Sequence, residues 1–216
     1  MPYLKRNMVN NSWPIPRKGT KYLASPGHNQ RDSIPLIVAM REVLGLVKNK
    51  KELKKAINEK QIKINGKEIK ETNYPICLFD ILRIGEKNYK TGLSDKKKFK
   101  FEEIGNKEAD SRVFKVISRK MLSGKKVQLN LMNGINILSN EKVNIGDSIV
   151  YNFKDKKIEK VIAMEKGKSA VAIRGKHTGV KGKIENIIER GGKGLVKLSV
   201  GNSKINVWTK NIIVVE

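Results

Sequence analysis

Residues 34–84 read IPLIVAMREVLGLVKNKKELKKAINEKQIKINGKEIKETNYPICLFDILRI, and the order of patterns in this stretch decides the fold. Across 34–47 the apolar residues recur at 36, 39, 40, 43, 44 and 47. That is one face of a 3.6-residue helix, and Pro35 suits its first turn because a proline there gives up no needed N–H. Residues 50–60 predict a second helix, with Leu53, Ala56 and Ile57 inward and Lys50, Lys51, Lys54, Lys55 and Lys60 outward. Next come two alternating runs, Ile62-Lys63-Ile64 and Lys67-Glu68-Ile69, joined by Asn65-Gly66. Asn-Gly is a strong hairpin signal, since both residues tolerate the positive φ of a tight primed turn. Residues 80–84 predict a strand that closes a small sheet. A lysine-rich helix alone is ordinarily a solvated face. A compact helix pair, a tight hairpin and cations on both make a candidate binding surface.

The whole chain carries the same signal. It has 216 residues, enough for two or three small domains, and its 38% hydrophobic share supports folded cores. Its formal net charge is +25. A balance so far from zero repels itself unless a polyanion neutralises it, and nucleic acid is the natural partner. A membrane partner would call for a strong amphipathic anchor or about 20 continuous apolar residues. The sequence shows neither, nor a signal-peptide core, so no membrane association is expected. The one cysteine, Cys77, excludes an intramolecular disulfide framework and fits a reducing cytoplasm; between Ile76 and Leu78 it reads as a small core residue. The net charge is +11 over residues 1–70, +6 over 71–165 and +8 over 166–216. Per residue the two ends carry more than twice the density of the middle, so both ends are expected to face the polyanion.

Residues 1–33 hold Pro2, Pro14, Pro16 and Pro26, little periodicity, and Lys5, Arg6, Arg17, Lys18, Lys21 and Arg31. Such a segment does not fold alone. Tyr3, Trp13 and Tyr22 lie among these cations, and two readings stay open: the aromatics pin the segment to its neighbour, or they stack on a partner. Residues 85–98 read as turns. Short strands follow at 113–117, 127–131, 135–138, 148–153 and 158–164, with a hairpin turn at Met132-Asn133-Gly134, and predict a small antiparallel sheet or barrel. Asp80, Asp95, Asp110, Asp147 and Asp155 fall near turns and strand ends, where Asp sits for backbone reasons.

From 166 the pattern changes again. Residues 170–173 predict a strand, followed by Gly175, Gly179 and Gly182 with cations between them, a tight turn bringing backbone close to something. Strands at 184–188, 195–200, 205–208 and 212–215 follow, separated by Gly191-Gly192-Lys193-Gly194, Gly201-Asn202 and Thr209-Lys210-Asn211. That is the content of a small SH3-like barrel, and 170–188 resembles the KOW motif of ribosomal proteins and transcription elongation factors.

Three further stretches sharpen the resemblance: YLKR at 3–6, RDSIPLIVAMREVL at 31–44 and IKINGKEIKETNYPICLFDILRI at 62–84. The helix-helix-hairpin order resembles the small RNA-binding fold of the bacterial ribosomal protein S-four. Together with the KOW-like end, the chain is similar to the archaeal and eukaryotic small-subunit ribosomal protein family S-four-e. The resemblance implies an α+β chain in four parts: a basic extension at 1–34, an S-four-type RNA-binding domain at 35–97, a central β domain at 98–165 and a KOW SH3-like barrel at 166–216. It implies a cytoplasmic, ribosome-bound structural protein whose partners are small-subunit ribosomal RNA and neighbouring small-subunit proteins.

Catalytic alternatives fail on spacing. Gly182-Lys183 is followed by Ile184 and a strand, which breaks the phosphate-loop pattern, and no G-x-G-x-x-G opens a helix. His28 and His177 with one cysteine assemble no zinc set. No nucleophile elbow appears. No enzyme activity, cofactor, metal or small-molecule substrate is therefore expected. The expected RNA contacts fall on three surfaces. Lys5, Arg6, Arg17, Lys18, Lys21 and Arg31 form the extension. Arg41, Lys50, Lys54, Lys55, Lys60, Lys63 and Lys67 form the helix-hairpin face. Arg174, Lys176, His177, Lys181 and Lys183 form the KOW turn. Such contacts position RNA through phosphates, with little reading of bases. A free RNA-binding transcription or translation regulator built on the KOW barrel is the alternative.

Overall fold

A computed structural model describes residues 3–94, 96–106, 108–123, 126–139, 141–191, 193–201 and 203–215. Asp95, Gly192 and Asn202, named above in turns, lie outside the described residues. The chain divides into two compact units, Met1–Arg112 and Val113–Glu216. Both are built mostly of strands, with few and short helices.

In the first unit, β1 (Tyr3–Lys5) pairs antiparallel with β2 (Tyr22–Ala24), and β3 (Ser33–Pro35) pairs with a later strand, β6 (Pro75–Cys77). The helix predicted over 34–47 is shorter. Helix α1 (Leu36–Val38) runs into a π-helical turn, Ala39–Val43, where the Leu44 N–H reaches back to the Ala39 carbonyl. Gly45, at φ +66, ends it in the left-handed region that only glycine enters at no steric cost. Residues 33–40 are buried one after another, so this segment is enclosed on all sides and not on one stripe. Helix α2 (Lys50–Asn58) keeps the predicted face, with Leu53 and Ile57 buried and Ala56 half-buried. Its start is capped from both sides: the Asn49 side chain accepts from the Glu52 N–H at 3.0 Å, while Glu52 Oε2 reaches back to accept from the N–H of Lys48, the residue before the cap, at 2.7 Å.

The hairpin forms as its residues dictate. Strand β4 (Ile62–Ile64) pairs with β5 (Lys67–Glu68) across Asn65 and Gly66, both at positive φ. After β6 (Pro75–Cys77) and β7 (Ile81–Ile84), the chain departs from the turns expected over 85–98. Strand β8 (Lys87–Leu93) pairs with β7, and β9 (Phe99–Ile104) pairs with β8, giving a sheet ordered β5-β4-β7-β8-β9. The buried positions of β8 are Asn88 and Thr91, so a strand is present without the apolar alternation that announces one. Trp13 is 1% exposed and enters the core with Ile34, Leu36, Met40, Leu53, Ile64 and Leu82, its indole N–H donating to the Ser33 carbonyl. An aromatic of that size buries on the order of 200 Å², roughly 5 kcal/mol in transfer terms. That anchors the extension at its middle.

In the second unit β10 (Ser111–Met121) leads a sheet with β11 (Val127–Leu131), β12 (Asn136–Ser139), β13 (Ser148–Asn152) and β14 (Lys157–Ile162), ordered β12-β11-β10-β13-β14. Phe114, Val116, Leu129, Leu131 and Ile149 are its core, with Phe114, Tyr151 and Phe153 packed edge to face. The last sheet contains β15 (Ser169–Ala172), β16 (Lys181–Arg190), β17 (Lys193–Val200), β18 (Ser203–Trp208) and β19 (Ile212–Val215), ordered β18-β17-β16-β15-β19. Alternation buries Ile184, Val196, Leu198, Val207, Ile212 and Val214 together. Every strand predicted here is present.

Candidate nucleic-acid interface

In the first unit the β1–β2 pair returns the extension on itself, and Lys5, Arg6, Arg17 and Lys21 come together around an open groove of about 860 Å³. Arg6 has a different part from the other three. Its guanidinium donates to the carbonyls of Thr20 at 2.7 Å and Pro16 at 2.6 Å, and to the Thr20 hydroxyl at 3.1 Å. Gly19 leaves the space it fills, since a β-carbon there would lie 2.7 Å from Arg6 Nη2. Arg6 therefore shapes the loop that carries Arg17, Lys18 and Lys21, which are all exposed. Lys98 completes the groove and ties it to the buried Trp13, donating to its carbonyl at 2.9 Å. The aromatics divide between the two readings. Trp13 is a structural pin, while Tyr3 at 67% and Tyr22 at 51% exposure stay on the surface, Tyr22 with the Lys21 ammonium 5.5 Å from its ring centroid. Arg31 is exposed; His28, also exposed, packs edge-on against Tyr74.

On the helix-hairpin face Arg41, Lys50, Lys54, Lys55, Lys60 and Lys67 are exposed and Lys63 is half-buried. Several have carboxylate neighbours: Arg41 with Glu42 at 2.8 Å, Lys55 with Glu59 at 3.9 Å, and both Lys60 and Lys63 with Glu68 at 3.4 and 4.0 Å. Exposed pairs of this kind are worth about 0–1 kcal/mol, so they lower the local potential without fixing the side chains. Lys50, Lys54 and Lys67 have no such pair among the described residues and carry their full charge outward.

Under that face lies a polar centre that the sequence does not announce. Asp80, expected only as a turn residue, is buried and paired with the buried guanidinium of Arg112. It also accepts from the Asn65 amide at 2.6 Å and the Cys77 N–H at 2.5 Å, while Arg112 Nη2 donates to the Leu78 carbonyl at 2.8 Å. The hairpin turn is thus tied through the Asn65 amide to a buried ion pair. Burial, and then the negative charge of Asp80, push the Cys77 thiol up to about 12, which keeps it protonated and inert at neutral pH. Asp147 keeps the expected backbone role, accepting from the N–H groups of Asn144 and Met164 at 3.0 and 2.9 Å.

In the second unit the loop between β15 and β16 is closed by its own backbone. Thr178 donates through both its N–H and its hydroxyl to the Gly175 carbonyl, and the Gly179 N–H donates to the Ala172 carbonyl at 2.7 Å. Gly175 and Gly179 sit at φ +92 and +87. Gly182 serves a close approach within the fold itself: a β-carbon there would lie 2.6 Å from the Ser199 carbonyl oxygen. Arg174, Lys176, Lys181 and Lys183 are exposed around this turn, and His177 is half-buried. Lys115, which sequence reasoning passed over, is buried and donates to the carbonyls of Thr209 and Ile212. Burial, with Arg174 nearby, lowers its pKa to about 8. Trp208 and Lys210 were also missed as surface residues; an aromatic next to a cationic turn, the pattern noted in the extension, was the available signal.

Among the described residues no cluster of three or more His, Cys, Asp or Glu could hold a metal, and no helix is long and apolar enough to cross a membrane. The β-rich fold and its clustered, outward cations define a class, basic proteins with surfaces suited to a folded polyanion. The comparisons narrow it. The family model described as "Ribosomal family S4e" matches residues 85–158. The chain is 33% identical over 223 residues to small ribosomal subunit protein eS4 of Nanoarchaeum equitans, covering 98% of this chain and 95% of that one. It is 34% identical over 189 residues to the eS4 of Methanospirillum hungatei, covering 84% and 78%. Its fold is similar to the crystal structure of the 30S ribosomal protein S4e from Thermoplasma acidophilum, with a TM-score of 0.73 at 22% identity, over 85% of this chain and 95% of that one. The chain belongs to the S4e family of small-ribosomal-subunit proteins.

Proposed function

We propose that this chain is a structural constituent of the small ribosomal subunit, holding folded ribosomal RNA through three basic surfaces and contacting neighbouring small-subunit proteins in the cytoplasm. The observation that carries the reading is the 33% identity to an archaeal eS4 along 98% of the chain. The net charge of +25 and the clustered cations support it. In the extension, Lys5, Arg17, Lys18, Lys21 and Arg31 meet phosphates while Arg6 holds their loop. In the S-four-type module, Arg41, Lys50, Lys54, Lys55, Lys60, Lys63 and Lys67 form the docking face, with the three unpaired lysines contributing most. In the KOW barrel, Arg174, Lys176, His177, Lys181 and Lys183 ring the turn. Of the four-part layout of 1–34, 35–97, 98–165 and 166–216, the boundary at 98 is better drawn after 112, since β9 pairs with β8 and the first compact unit runs to Arg112. No catalytic role is assigned.

Sedimentation of cell lysate on sucrose gradients at moderate and high salt tests this directly. Co-migration with the small subunit at near one copy each, surviving the high-salt wash, is expected. Release to the top fractions with only traces on particles would instead make it a free RNA-binding regulator.

A further inference from the structure

The second unit contains a groove that the phosphate-binding reading does not use. It has a volume of about 500 Å³, and its walls are Ile117, Met132, Ile145, Arg174, Trp208 and Lys210, with Lys115 also lining it. Three of these apolar side chains are unusually open for their type: Ile117 is 54% exposed, Ile145 60% and Trp208 38%. Residues 117, 145 and 208 come from β10, from the loop before β13 and from the end of β18, so the fold assembles them from three separate stretches. An apolar slot on so basic a chain is out of place as solvent-facing surface.

We infer that this groove receives an unpaired nucleotide of RNA, its base against Trp208 and its phosphate toward Arg174 and Lys210. The inference rests on the RNA-binding reading above and deepens it, by adding a place where a base and not only the backbone is held. Four observations carry it. The volume lies within the roughly 300–1,000 Å³ that suit small-molecule-sized groups. An indole offers the flat face on which single-stranded bases stack, and stacking of this kind tolerates any base. The lining holds three cations, Lys115, Arg174 and Lys210, and no carboxylate, which selects an anionic occupant. Arg174 belongs both to the groove and to the basic turn before β16, so an RNA strand on that turn continues into the groove. Lys115 is held by two backbone carbonyls and serves as fixed positive lining rather than as a mobile contact.

Trp13 and Trp208 are the chain's two tryptophans, so fluorescence reads the site: Trp13 is 1% exposed, and only Trp208 is placed to meet a ligand. Two probes are titrated into the full chain, an RNA stem-loop with unpaired loop nucleotides and the same stem as a blunt duplex. The stem-loop is expected to quench the emission and bind roughly tenfold tighter than the duplex, the scale of one stacked base. Trp208→Leu is expected to abolish the quench and bring the stem-loop to the duplex affinity. Trp208→Phe, which keeps a stacking face, is expected to restore most of the preference. Equal binding of both RNAs without a quench, while both still bind, overturns the nucleotide site and leaves the phosphate surfaces standing. Loss of co-sedimentation with the small subunit by Trp208→Leu, with naked-RNA affinities unchanged, also overturns it and gives the groove to a protein neighbour. Failure of either RNA to bind the unaltered chain removes the RNA-binding reading itself.

Discussion

Asp80 shows how a single side chain takes on more than its sequence context advertises. Asp before a strand is an ordinary turn residue, yet here its carboxylate gathers the guanidinium of Arg112, the amide of Asn65 and the N–H of Cys77. The pair is buried, and the desolvation of both ions is balanced only while each has the other. Removing one partner leaves an uncompensated buried charge. Arg112→Met is therefore expected to destabilise the first unit by roughly 3–5 kcal/mol. Adding Asp80→Asn to it is expected to cost well under the sum of the two single changes, because the second removes the orphaned charge. Urea unfolding of the two singles and the double checks this, and additive losses would mean that the pair is not coupled. Nothing in the sequence links positions 80 and 112, since the pairing depends on β7 and on a chain segment some thirty residues later.

At the level of elements, legibility followed how local the determining force was. The hairpin around Asn65-Gly66 was readable because two adjacent residues set the backbone of its turn. Helix α2 was readable because it has one apolar face set by spacing within its own length. The segment 34–47 misled because it is enclosed on all sides, so its apolar spacing carries no helical length, and Gly45 stops it. Strand β8 was missed because its buried positions, Asn88 and Thr91, are polar and break the apolar alternation; Asn88 is satisfied only in the folded sheet, taking an N–H from Arg83 at 2.7 Å and donating to Asn106 at 2.6 Å. In the last sheet the glycines were readable as necessary, though not what they approach. Gly182 faces the Ser199 carbonyl and the Val200 side chain, at 2.6 and 2.8 Å from where a β-carbon would be. Gly182→Ala is accordingly expected to lower stability by roughly 1–3 kcal/mol, the usual cost of overpacking. Gly105→Ala, where nothing lies within 4 Å, is the control and is expected to be near neutral in thermal unfolding. Equal effects at the two sites would refute the close-approach account.

On the scale of the whole molecule, charge was visible at once, while its distribution into effective and internally occupied groups was not. The candidate cations are of several kinds. Arg6 is used by its own loop, Lys60 and Lys63 share Glu68, and Lys50 and Lys54 stand outward without a partner among the described residues. These differences become measurable through counterion release. Each phosphate neutralised adds about 0.7–0.9 to the slope of log affinity against log salt. A lysine already facing a carboxylate releases less, because part of its charge is spoken for before RNA arrives. Lys50→Gln with Lys54→Gln is therefore expected to flatten the slope by roughly 1.4–1.8, two contacts' worth. Lys60→Gln with Lys63→Gln is expected to flatten it by distinctly less, since both lysines share Glu68 and release fewer counterions when RNA binds. Both double variants change net charge by the same amount, so a response set by total charge alone would make their slopes equal. Filter-binding or fluorescence titrations of one structured RNA across 50–200 mM salt separate the cases. Unequal slopes in the stated order mean that RNA meets the helix-hairpin face through its unpaired lysines; equal slopes mean that the +25 acts as a diffuse field with no such face.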